Sequence, residues 1–176
     1  MQKILCVNRV NLSFALFLSL AVAVQCQSAS TTKSVAELQW FSGHWSCDGK
    51  FARSGKTISA DLWFEPILQS KWLLFRHDDR PPFSYHALSE WGWDEKGKQY
   101  VSTVQDSTGG IRLFHSPGFS DSKLVGDGRA LGNPTAPAEQ FEFEKIGPNI
   151  FTVSYSFQQD GKWQVVDKST CTRKPD

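Results

Sequence analysis

Gly43-His44-Trp45-Ser46-Cys47, near the start of the chain, and Thr170-Cys171-Thr172-Arg173-Lys174, at its end, decide the fold between them. Antiparallel partners keep a constant index sum, so one pairing fixes all the others. If the first and last strands of a closed antiparallel sheet lie side by side, pairing Cys47 with Cys171 puts Trp45 opposite Arg173. A disulfide and a Trp–Arg stack then seal the same seam. That register reads as a barrel.

The sequence between these ends supports it. Candidate strands run Gly43–Phe51, Lys56–Phe64, Lys71–Asp78, Phe83–Trp93, Gln99–Asp106, Gly110–Ser116, Lys123–Asp127, Gln140–Lys145, Ile150–Gln158 and Lys162–Thr172. Ser54-Gly55-Lys56, Arg80-Pro81-Pro82, Asp94-Glu95-Lys96-Gly97, Gly109-Gly110, Gly147-Pro148-Asn149 and Gln159-Asp160-Gly161 separate them. Each supplies a positive φ or a fixed proline φ where the chain reverses. The prediction is an all-β fold, an up-and-down antiparallel barrel of about ten strands. Ser34–Phe41 is the one candidate helical segment, one or two turns covering a barrel end. Gly126–Glu139, rich in glycine and proline, reads as a loop at a barrel mouth.

The first 26 residues read as an address. Lys3 and Arg9 precede an apolar run, Leu12–Val24, that is short for a membrane span and is followed by polar residues, the layout of a secretory signal peptide. Cleavage after Ala23 fits the small residues Ala21 and Ala23, and the mature start falls within Val24–Ala29. Acylation at Cys26 is the alternative, but Gln25 stands where that processing wants a small residue. The folded domain is expected over residues 38–175, exported to a periplasmic or extracellular location, with no membrane span. Cys47 and Cys171, left in an oxidising compartment, are expected to pair.

Charge narrows the partners. The whole chain carries 19 basic and 18 acidic residues; without Lys3 and Arg9 it is 17 against 18, a net charge of −1. Near-neutrality without a basic cluster argues against nucleic acid, whose binding rests on phosphate neutralisation. No set of close-spaced ligands suggests a metal.

Alternation assigns faces. Gly43, Trp45, Cys47, Gly49 and Phe51 share one side of the first strand. Trp163, Val165, Asp167, Ser169, Cys171 and Arg173 share the matching side of the last. Asp167 and Ser169 are polar on that inner face, which suits a cavity better than a solid core.

The Gly-x-Trp of the first strand and the Arg after the last resemble the structural signature of the calycin group, which includes lipocalins and fatty-acid-binding proteins. Trp91-Gly92-Trp93-Asp94, Tyr100-Val101-Ser102-Thr103, Asp106 and Thr172-Arg173-Lys174 resemble more closely a bacterial family of secreted lipocalin-like domains of unassigned function. The likeness spans roughly Leu38 to Lys174. It implies a calycin-like barrel with no inherited catalytic residue, in which Trp45 and Arg173 are structural: the guanidinium caps the indole at the closed end. A related group of ten-stranded barrels ligates heme through a histidine near the C-terminus; here the last histidine is His115, so no heme or other cofactor is expected.

Candidate ligand-binding residues are Arg76, His77, Tyr85, Trp91, Tyr100 and His115. His77 shares a face with Leu73 and Phe75, and His115 with Ile111 and Leu113, whereas His44 and His86 point outward. Tyr85, Trp91, Trp93 and Tyr100 would make an aromatic wall with indole and phenol donors. Arg76 or Arg112, if inward, would favour a carboxylate. No nucleophile elbow, zinc-protease helix or phosphate loop is present, so no catalytic residue is assigned.

The reading that follows is a binder of a small apolar or weakly acidic molecule. The alternatives are a barrel enzyme of isomerase, cyclase or decarboxylase type, and an envelope protein-interaction module. An ordered acid–base pair in a deep cavity favours the enzyme, an aromatic cavity without one favours binding, and a filled barrel favours the module.

Overall fold

The computed structural model describes residues 35–175. The expected signal peptide, Cys26 and Ser34 lie outside the described residues. The chain forms a 3₁₀ helix, Val35–Phe41, and eleven strands. These are β1 Gly43–Phe51, β2 Thr57–Ile67, β3 Trp72–Asp79, β4 His86–Asp94, β5 Gln99–Asp106, β6 Ile111–Ser116, β7 Phe119–Ser120, β8 Lys123–Ala130, β9 Glu139–Gly147, β10 Ile150–Gln159 and β11 Lys162–Arg173.

Ten of these strands close a ring in which every pairing is antiparallel, each strand lying beside its chain neighbour. β11 returns to β1, and β6 pairs directly with β8. The two-residue β7 continues the line of β6 along the same edge of β8, against the start of β8. It had no counterpart among the expected strands because two residues carry no readable alternation.

At the seam, Cys47 faces Cys171 and Trp45 faces Arg173. Cys47 and Cys171 form a disulfide across a sequence separation of 124. The Arg173 guanidinium lies 4.1 Å from the centre of the Trp45 ring. Trp45 Nε1–H donates to the Phe41 carbonyl at 2.6 Å, which ties the 3₁₀ helix to the first strand. Gly43, at φ 110°, brings the backbone where a Cβ would stand 3.0 Å from Arg173 Nη1. Any larger residue there is strained as well as crowded.

The helix closes one end of the barrel. Val35, Leu38 and Phe41 are its buried residues, and they sit one 3₁₀ turn apart. Phe41 packs among Phe64, Trp91, Phe143 and Phe151. The opposite end carries the connections between β1 and β2, β3 and β4, β5 and β6, β8 and β9, and β10 and β11. The last of these is a two-residue reversal in which Asp160 and Gly161 both take positive φ, 51° and 73°.

Three local expectations are corrected. The glycine-rich stretch after Gly126 is not a loop throughout: β8 continues to Ala130, leaving 131–138 as the connection at the open end. The cause is close packing, since a Cβ on Gly128 would stand 2.2 Å from the Leu113 carbonyl and 2.5 Å from the Phe114 ring. Phe83–Tyr85 lies in the β3–β4 connection rather than in a strand. Trp163 and Val165 are 40% and 50% exposed instead of facing inward. Tyr155 pairs with Asp167 but Ser156 with Val165, so Val166 is an extra residue. This β-bulge reverses the alternation before Asp167.

Candidate functional site

The barrel is hollow. A cavity of about 410 Å³ runs along its inside, lined mainly by apolar side chains. A ten-stranded ring is wider than its side chains fill, which leaves this space. Its closed end is the Phe41 plug, against which Trp91 and Phe143 pack at 6.2 and 5.7 Å between ring centres. At the open end Phe51, the last residue of β1, meets Phe83 edge to face at 5.4 Å. Between them Leu62, Phe75 and Val153 furnish the walls.

The charged groups gather toward the open end. On β3 the alternation that turns Leu73 and Phe75 inward also turns His77 and Asp79 inward, and His77 Nε2–H donates to Asp79 Oδ1 at 2.7 Å. The Asp79 side chain is only 4% exposed. Asp167, from β11, also lines the cavity. Desolvation pushes its carboxyl up to about 6, an effect that His77 opposes and Asp79 reinforces.

A second assembly surrounds Arg112 on β6. Its Nη1 donates to Asp106 Oδ2, and its Nε lies 2.9 Å from Glu139 Oε2. The Asp106 side chain is fully buried. Desolvation raises its carboxyl, but hydrogen bonds from Thr108, Arg112 and the backbone N–H groups of Gly110 and Thr108 outweigh that and hold it at about 2. Tyr85 and Tyr155 line the cavity beside this assembly. Both phenols are raised above their ordinary range, in each case chiefly by burial.

The six expected ligand-binding residues divide. His77, Tyr85, Trp91 and Tyr100 line the cavity. Trp91 Nε1–H donates to Ser89 Oγ at 2.7 Å, and the Tyr100 hydroxyl donates to Glu37 Oε2 at 3.1 Å. Arg76 is corrected: it lies outside, its guanidinium 4.2 Å from the Trp63 ring and paired with Asp78 at 2.7 Å. Strand alternation forces this once His77 faces inward. His115 borders the cavity as well but is exposed, because β6 turns Arg112, Phe114 and Ser116 inward.

Asp79, Asp106, Glu139 and Tyr155 were missed. Asp79 was within reach, since it follows His77 by two positions on the same face. Asp106 stood in the resemblance but not among the expected site residues, and Glu139 and Tyr155, from two further strands, carry no local signature.

No protein-family profile matches the chain, and no curated protein matches it. Among solved structures, it is similar to the redesigned β-barrel mFAP1 bound to DFHBI, at 19% identity and a TM-score of 0.36, over 77% of this chain and 96% of that one. It is also similar to EF1p2_mFAP2b bound to DFHBI, at 15% identity and a TM-score of 0.38, over 81% of this chain and 100% of that one. The fold and site define the class: a closed ten-stranded antiparallel barrel with an internal cavity.

Proposed function

We propose that the protein is an exported, calycin-like barrel that holds a small, mostly apolar molecule in its interior. The observation that carries this reading is the cavity of about 410 Å³, with aromatic walls and a few placed polar groups at one end. That volume lies within the range of small-molecule sites, roughly 300–1,000 Å³. The Cys47–Cys171 disulfide suits an oxidising compartment, and no helix among the described residues is long and apolar enough to cross a membrane. Residues 1–26 supply the export reading.

One feature favours a second reading. The His77–Asp79 pair stands in the cavity as an ordered acid–base pair, which suits a barrel enzyme moving a proton on an enclosed substrate. Mass spectrometry under native conditions separates the two. A binder from its own host releases one retained small molecule unchanged after prolonged incubation, whereas an enzyme releases a product that differs from the molecule added.

Occupancy of the cavity has its own test. Trp91 is the tryptophan in the cavity lining. A hydrophobic dye should quench tryptophan emission saturably at one site per chain. Trp91→Phe should remove most of that quench while the dye still binds, as read from the dye's own emission. Quenching that survives Trp91→Phe intact would place the dye on the outer surface.

A further inference from the structure

We propose that the cavity selects a protonated amine, its ammonium group set between the Asp79 and Asp167 carboxylates and its apolar body lying against Phe75, Trp91 and Phe143. This rests on the cavity being a binding site and names the ligand class that its charges favour.

Among the described residues, the cavity offers an anion no free cation. Arg112 is the guanidinium in the lining, and two carboxylates already hold it, Asp106 at Nη1 and Glu139 at Nε. A carboxylate ligand would have to displace one of them. His77 is the other nitrogen base on the inner face, and its Nε2 is committed to Asp79. Arg76, which would have favoured an acidic ligand, is outside the barrel.

Negative charge is in surplus. Asp79, Asp106, Glu139 and Asp167 stand against one guanidinium and one imidazole on the inner face, with His115 at the exposed border. Asp106 and Glu139 are accounted for by Arg112. Asp167 is not accounted for: among the described residues its carboxylate accepts no hydrogen bond and joins no ion pair, while its cross-strand neighbours are Phe51 and Tyr155. A carboxylate facing an apolar space without a partner is costly, and the fold itself does not require an acid there.

An ammonium supplies what is missing. It brings one positive charge and three N–H donors on a compact head. Asp167 and Asp79 accept from it, and the Ser169 hydroxyl on the same face of β11 is a further acceptor in the lining. Burial pushes the Asp167 carboxyl up to about 6, so above that pH the site holds a poorly solvated carboxylate; a cation beside it offsets that cost and is held by it. The aromatic walls below suit an aryl or short alkyl body.

The test is calorimetric titration of the purified protein with three molecules of one shape: phenethylamine, phenethyl alcohol and phenylacetate. Phenethylamine should bind at one site, about tenfold or more tighter than the alcohol, with phenylacetate weakest. Asp167→Asn, which keeps the shape and removes the charge, should erase most of the amine's advantage and leave the alcohol within about twofold. Retained alcohol binding shows that the variant is folded; Asp79→Asn should act in the same direction. An alcohol or carboxylate that binds as tightly as the amine overturns the amine assignment and leaves the binding site standing. An amine preference undiminished in both variants overturns it too. No saturable binding of these three or of a hydrophobic dye removes both readings.

Discussion

Arg173 and Trp45 face one another across the barrel seam, the guanidinium carbon 4.1 Å from the indole centre. The same guanidinium donates from Nη2 to the Trp40 carbonyl at 2.7 Å and from Nη1 to the Ser42 carbonyl. One side chain thus joins the last strand, the first strand and the end of the 3₁₀ helix. Its place is the end opposite the polar part of the cavity.

Arg173→Ala should therefore destabilise the fold without changing the ligand site. Loss of the cation–π contact and of two charge-assisted hydrogen bonds amounts to about 2–4 kcal/mol. Urea unfolding gives the stability, and dye titration of the folded variant gives the affinity. A variant of native stability that binds dye poorly would make Arg173 part of the site.

The disulfide spans the same seam. Closing a loop with a separation of 124 residues corresponds to about 5 kcal/mol in chain-entropy models, an upper figure in practice. Cys47→Ala with Cys171→Ala should lower the urea midpoint strongly, and a reducing agent should have no further effect on that double variant. Equal midpoints for the oxidised parent and the double variant would show that the strand pairings alone hold the seam.

Arg112 presents the opposite situation, a cation enclosed by acids. Arg112→Met leaves Asp106 and Glu139 without it and should cost about 3–5 kcal/mol at neutral pH. The pH dependence has a definite sign. Asp106 sits at about 2 in the fold against an ordinary 3.8, so the stability it contributes is present above about 4 and is lost as pH falls toward 2. The deficit of Arg112→Met should accordingly narrow over that interval. A deficit that stays constant down to pH 2 would assign the loss to packing of the arginine stem rather than to charge.

The seam was legible in the sequence because its chemistry fixes a register. Of the four cysteines, Cys47 and Cys171 are the two that lie beyond the expected signal peptide, and their pairing aligns Trp45 with Arg173. Most strand limits were legible too, since turn residues mark them. The inner face was legible only where alternation is clean. On β4, Ser89 and Trp91 turn inward as alternation from Tyr85 requires. On β6 apolar residues occupy both faces, with Ile111 47% exposed and Phe114 buried, so the face of His115 could not be read from pattern. On β11 the extra residue Val166 moved Trp163 and Val165 outside, and a bulge leaves no mark in composition. The Arg112 assembly was hidden for another reason. Its carboxylates come from β5 and β9, which do not pair with one another; β9 comes near Arg112 only once β6 and β8 are paired.

Asp167 yields the last prediction. The groups that act on its carboxyl are His77 and Asp79 from β3, and its strand neighbours are Phe51 on β1 and Tyr155 on β10. Its folded value of about 6 lies above the ordinary 3.8. Between those values the native state keeps a proton that the unfolded chain has released, so stability falls as pH rises from about 4 to about 6. Above that range the cost of the buried carboxylate is fully present. Asn has the same shape and cannot ionise. Asp167→Asn should be more stable than the parent at pH 8 by up to about 3 kcal/mol, and the gain should shrink through pH 6 and vanish near pH 4. Urea unfolding of both proteins at the three pH values measures it. A gain that does not vary with pH would come from packing, and a loss at pH 8 would mean that the carboxylate has a partner in the free protein.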